Sequence, residues 1–197
     1  MTVSAPLHVS RTGLAVIGGI VMLVVVLVVL SLRQPDVPEF APTSVEGVDT
    51  VPGGYRTVTV DASDPVRWHY IDLTRGTVSA SPGAGWDLAV RRFEVKVNGG
   101  DGFAGAGGVL DLGPVALDSV RTLPTEGYAG MTITGRDTSQ AVLDDWYDYS
   151  FTSHILSPKD QTLAFRTASG QHVALRFLSY YCPDAQPGCV TMRYAFR

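Results

Sequence analysis

The hydrophobic pattern of the chain changes character twice. Residues 13–32, GLAVIGGIVMLVVVLVVLSL, form a run of twenty positions with no charge and one polar side chain, Ser31. A helix rises about 1.5 Å per residue, so the run covers roughly 30 Å, the thickness of a bilayer's hydrocarbon core. It predicts one transmembrane helix. Residues 33–54 follow with Pro35, Pro38, Pro42 and Pro52 and no sustained apolar period. Proline fixes φ and removes backbone donors, so this stretch is expected as an extended tether. From residue 55 onward the period becomes two. Phe93, Val95 and Val97 alternate with Glu94, Lys96 and Asn98; Val173, Leu175 and Phe177 alternate with His172, Ala174 and Arg176; Met192, Tyr194 and Phe196 alternate with Thr191, Arg193 and Ala195. Such alternation marks half-buried strands, and the β-branched run YRTVTVD at 55–61 suits a pleated surface.

The helical period is nearly absent after residue 54, and its best candidate is a short piece at 138–148. The expected fold is therefore all-β, an antiparallel sandwich or curled sheet over 55–197, preceded by one transmembrane helix. Signal-peptide apolar regions are shorter and end at a small-residue cleavage site, whereas Leu32, Arg33, Gln34 and Pro35 follow here, which favours an uncleaved signal anchor. Arg11 and Arg33 flank the helix and nearly balance the positive-inside count. A short tail (1–12) before a long domain, together with cysteines in that domain, places the N-terminus in the cytoplasm. The domain is then periplasmic or otherwise extracytoplasmic, with the helix in a bacterial inner (cytoplasmic) membrane.

Charge narrows the partner classes. Lys and Arg number 15 against 19 Asp and Glu, a net charge of −4, and no basic stripe favours nucleic acid. Cys182 and Cys189, the two cysteines of the chain, close the segment CPDAQPGC. A disulfide suits them in an oxidising compartment, because a structural zinc would need about four N/S ligands and no second cysteine pair exists. In the apolar helix, Ala15, Gly18 and Gly19 form a notch of small residues; it reads either as a surface for a second helix or as the ordinary glycine content of such segments.

Several segments in order resemble the HmuY family of bacterial surface haem-binding proteins. These are WHYIDLTRG (68–76), WDLAVRRFEVKVNGG (86–100), the glycine-rich DGFAGAGGV (101–109), WYDYSFTSHILSP (146–158), LAFRTASGQHVALRFLSYY (163–181) and VTMRYAF (190–196). The resemblance spans most of 55–197 and implies an almost entirely β fold. It further implies haem as a cofactor, held by His or Met side chains, for which His154, His172 and Met131 are the candidates. Members of the family are usually lipid-anchored or released, and a retained apolar helix is a departure from that habit.

Other constellations favour plainer readings. The glycines of 99–108 lack the Lys-Ser/Thr ending and following helix of a phosphate cradle, so they are expected in turns or close approaches. Asp144, Asp145 and Asp148, interleaved with Trp146, Tyr147 and Tyr149, depart from the calcium-loop spacing and read as an acidic face beside aromatic anchors. Ser150, Ser153 and His154 are sequence neighbours without a nucleophile elbow, and His172 is expected on a solvated strand face. No catalytic constellation emerges. The sequence thus predicts a non-enzymatic accessory subunit of a larger membrane complex, its helix packed among integral membrane subunits and its β domain capping a partner. A photosynthetic or respiratory electron-transfer assembly would be such a host. The alternative is a membrane-tethered, HmuY-like haem-binding protein.

Overall fold

The structure, a computed structural model, describes residues 10–31, 36–43, 50–51, 54–83 and 85–197, in two compact units, Met1–Asp36 and Val37–Arg197. In the first, helix α1 spans Arg11–Ser31. Ser10 caps it: its Oγ accepts the Gly13 N–H at 3.0 Å and its carbonyl accepts the Leu14 N–H at 3.0 Å. Valine is a mediocre helix former in water, but a backbone in lipid must satisfy every N–H and C=O within its own segment, and a helix does so. The segment Thr12–Val29 is long and apolar enough to cross a membrane. Space beside Gly18 and Gly19 is open. The helix begins two residues before the expected 13–32, and Leu32 lies outside the described residues.

The second unit is built from strands β1 (Thr50–Val51), β2 (Tyr55–Asp61), β3 (His69–Asp72), β4 (Thr77–Ser79), β5 (Leu88–Arg91), β6 (Glu94–Val97) and β7 (Gly108–Asp111). There follow β8 (Thr132–Thr134), β9 (Asp137–Ser139), β10 (Tyr147–Tyr149), β11 (Leu156–Pro158), β12 (Leu163–Arg166), β13 (His172–Tyr181) and β14 (Pro187–Phe196). One sheet runs β1-β2-β14-β13-β12-β7 and another β4-β3-β5-β6, every pairing antiparallel. Hairpins β8–β9 and β10–β11 stand apart as two-stranded ribbons. Val58, Val60, Val173, Leu175, Phe177, Met192 and Tyr194 of the large sheet share one buried cluster with Ile71, Leu88, Val90, Val95 and Val97 of the small one. The fold is the expected antiparallel all-β sandwich. On the far side of the large sheet, Leu117 and Val120 of the 112–123 segment cover Tyr55, Ala174 and Ala195.

The structure differs from the sequence reading at four places. Phe93 does not join Val95 and Val97 in the core. Arg92 and Phe93 form the two-residue turn between β5 and β6, Arg92 adopts a left-handed φ of 52°, and Phe93 is left 44% exposed with its ring against Tyr147 at 5.7 Å. The expected helix at 138–148 shrinks to a single turn, α2 (Ala141–Asp144), where Gln140 Oε1 accepts the Leu143 N–H at 2.8 Å, because β9 and β10 claim its flanks. His172 is half-buried rather than solvated.

Part of the expected tether also belongs to the β unit. The Phe40 N–H donates to Tyr181 O at 3.1 Å, the Thr43 N–H donates to Thr59 O at 2.9 Å, and Ser179 Oγ donates to Pro38 O. Glu39 accepts the amides of Asp184 and Ala185 at 2.9 and 3.0 Å; both residues hold left-handed φ, 60° and 52°, inside the loop closed by the Cys182–Cys189 disulfide. Glu39→Ala is expected to lower stability by about 1 kcal/mol, which a thermal melt registers as a drop of about 2–4 °C.

Candidate functional site

The three residues expected to ligate haem occupy three different places. Met131 is 3% exposed in the core, and its Sδ accepts the Val97 N–H at 3.4 Å. His172 opens β13; its ring stacks on Tyr128 at 5.2 Å and 22°, and its Nε2 is buried with no hydrogen-bond partner among the described residues. Arg166 lies over the other ring of that stack, 5.5 Å from the Tyr128 centroid. Burial raises the Tyr128 phenol pKa above its ordinary value, with the Arg166 charge pulling it back. His154 sits at the tip of the β10–β11 hairpin. That hairpin docks at the Tyr181 end of β13, where the Tyr181 hydroxyl accepts the Leu156 N–H at 2.9 Å. His172 is at the opposite end of a ten-residue strand, whose length is about 30 Å. The two histidines cannot share one iron.

The hairpin carrying His154 is anchored on one face and open on the other. Trp146, just before β10, is fully buried, donates Nε1–H to Phe93 O at 2.8 Å and packs on Phe177 at 4.5 Å. Tyr147 and Tyr149 alternate with Asp148 and so share one face of β10. Phe151, 85% exposed, meets Tyr149 edge-on at 5.2 Å. At the tip, the His154 N–H donates to Ser150 O at 2.8 Å while its backbone holds a left-handed φ of 57°. Among the described residues its side chain is held through Nδ1, 2.7 Å from the Tyr149 hydroxyl. When Nδ1–H donates to that hydroxyl oxygen, Nε2 carries a lone pair turned to solvent beside an exposed aromatic surface. A metal-ligating histidine has this arrangement: one nitrogen held by a neighbour, the other available.

The rival chemistries lose their geometry. Ser150 and Ser153 bond each other through Oγ at 2.8 Å, while His154 is committed to Tyr149. Asp145 and Asp148 face Lys159 Nζ at 2.6 and 3.9 Å, and Asp144 accepts the Gln140 N–H at 3.0 Å. Among the described residues, the only three His, Cys, Asp or Glu side chains close enough to hold one ion are Asp61, Cys182 and Cys189, and both sulfurs are spent in the disulfide. The glycine-rich stretch is a packing site. Gly99 and Gly107 lie back to back, and Gly130 presses on Gly100, its backbone within 3 Å of where a Cβ at 130 would stand.

A family model described as HmuY protein matches residues 65–194. Among solved structures, an HmuY-like haem-binding protein from Bacteroides vulgatus superposes with a TM-score of 0.62 at 21% identity, over 77% of this chain and 97% of that one. A lipoprotein from Bacteroides fragilis gives 0.61 at 22% identity, over 76% and 95%. The apo HmuY analogue of Tannerella forsythia gives 0.61 at 15% identity, over 73% and 95%. No curated protein matches the chain.

Proposed function

The chain belongs to the HmuY family, and from that premise we propose that it is a membrane-tethered haem-binding protein, with His154 as the residue that meets the iron. Helix α1 serves as the signal anchor and the β unit works on the extracytoplasmic side, where a disulfide persists. The family match and the haem-binding neighbour favour this reading over an accessory subunit of an electron-transfer complex. The observation that carries it is the His154 imidazole, held through Nδ1 by Tyr149 and open at Nε2. Haem presents a flat apolar ring and an iron that takes imidazole nitrogen. Phe151 and Tyr149 offer the ring a surface, and His154 offers the iron a donor. Met131 would have to leave the core to contribute, and His172 lies at the far end of β13. A single protein ligand is therefore what this chain supplies at the hairpin.

Titrating the detergent-solubilised full chain with haemin tests the reading. The wild type is expected to give a saturable shift of the Soret band. His154→Ala abolishes it, and Tyr149→Phe weakens binding about tenfold because the imidazole loses the partner that orients it. His172→Ala and Met131→Leu leave the band in place. Absence of a shift in the wild type, or an undiminished shift in His154→Ala, would sink the assignment.

A further inference from the structure

We propose that the outer face of the small sheet carries a second binding site, for a flat ring bearing a carboxylate. Strand register sets Ser79, Tyr70, Ala89 and Lys96 side by side across β4, β3, β5 and β6. This row faces away from the sandwich core, because the alternate positions Ile71, Val90, Val95 and Val97 are the ones buried there. Ala89 is its smallest member and forms a low floor between the larger Tyr70 and Lys96. Above it lies a cleft of about 460 Å³ walled by Trp68, Tyr70, Trp86 and Phe103. That volume falls within the range of small-molecule sites, roughly 300–1,000 Å³.

The walls are braced for a rigid guest. Trp86 meets Tyr70 edge-on at 5.3 Å and Phe103 at 5.9 Å, so the three rings hold one another while each stays only half-buried. Asn98 fixes the same corner, donating Nδ2–H to Trp86 O at 2.8 Å and accepting the Gly105 N–H at 3.2 Å. The charge in the cleft is Lys96, whose Nζ rests 4.5 Å from the Trp68 ring centroid. Arg91 lies over the same ring at 4.6 Å but is committed to Glu94 at 2.8 Å. Among the described residues Lys96 makes no ion pair. An uncompensated ammonium at the edge of aromatic walls selects an anion attached to a flat apolar body. Among the described residues, the cleft lining holds no His, Cys, Met or carboxylate side chain. Its residues are also separate from the His154 hairpin.

Naphthoate is a suitable probe, titrated against the full chain in detergent, with detergent alone as the blank for micelle uptake. Saturable binding at one site per chain is expected. Lys96→Met, which keeps the side-chain stem and removes the charge, weakens it about tenfold. The uncharged alcohol of the same ring binds as weakly to the wild type as naphthoate does to Lys96→Met. Ala89→Leu fills the cleft and removes binding, while His154→Ala leaves naphthoate affinity unchanged, so failure of the haem assignment and failure of this one are separable. The proposal is overturned if the wild type shows no saturable binding, if Lys96→Met binds as tightly as wild type, or if acid and alcohol bind equally.

Discussion

Replacing Asp87 with alanine is expected to lower the stability of the β unit by about 3–5 kcal/mol, enough to unfold a marginal domain at moderate temperature. Asp87 is 3% exposed, and each carboxylate oxygen accepts a backbone amide from a different segment: Leu73 N–H at 2.8 Å and Ala168 N–H at 2.8 Å. The residue therefore ties the β3–β4 turn and the loop after β12 to the start of β5. Alanine leaves two amides without this acceptor, the Leu73 N–H in a buried position and the Ala168 N–H in a part-buried one, each costing about 1–3 kcal/mol. The same residue sets a pH signature. Burial pushes its carboxyl pKa up, more than the two amide hydrogen bonds pull it down. A raised native pKa means that this group's contribution is fully present below the unfolded carboxylate value, near 3.9, and declines as pH rises through the native value. Chemical unfolding of wild type and Asp87→Ala across that window checks both parts. The wild-type advantage is expected to shrink as the pH rises through it, and an Asp87→Ala chain within about 1 kcal/mol of wild type throughout would refute the role of a tie between segments.

Much of this architecture is written in local pattern. YRTVTVD reads as a strand and is β2 to the residue; the alternation at 171–181 marks β13 and that at 191–197 the later part of β14; the CPDAQPGC spacing gives the disulfide loop. Such features depend on residues within a few positions of one another. The misreadings share the opposite property. Phe93 leaves the core because Arg92, with no glycine or asparagine to flag a turn, takes a left-handed conformation. The 37–43 segment is bound half through its own backbone groups, which leave no side-chain signature, and half through the Glu39 and Thr43 side chains, whose partners lie far along the chain. The candidate site divides along the same line. His154 was visible as a histidine, and its Tyr149 partner lies five residues away, but nothing in the sequence says that β13 separates it from His172. The aromatic cleft joins Trp68, Tyr70, Trp86 and Phe103 from three segments, and its one local hint is that Trp68 and Tyr70 alternate with His69 and Ile71.

The glycine-rich stretch shows how such non-local packing can be tested, and Gly130→Ala is expected to destabilise the domain by about 3 kcal/mol or more. A methyl group at 130 would stand 2.6 Å from Gly100 N, 2.7 Å from Gly100 Cα and 2.8 Å from Gly99 C. All three are backbone atoms, so no side chain can swing aside. Nor can the two segments separate cheaply, because they are bridged in both directions: Met131 N–H donates to Gly99 O at 2.8 Å and Asp101 N–H to Met131 O at 2.8 Å. Those bonds in turn hold Met131 in the core beneath Val97. Gly83→Ala is the matched control, since its position has open space and an ordinary φ, and a change within about 0.5 kcal/mol is expected there. Denaturant melts of the two variants separate the explanations. A Gly130→Ala chain as stable as Gly83→Ala would mean that the 99–101 and 130–131 backbones are not pressed together, and that this stretch is a loose connection rather than the seam joining the small sheet to the β8–β9 ribbon.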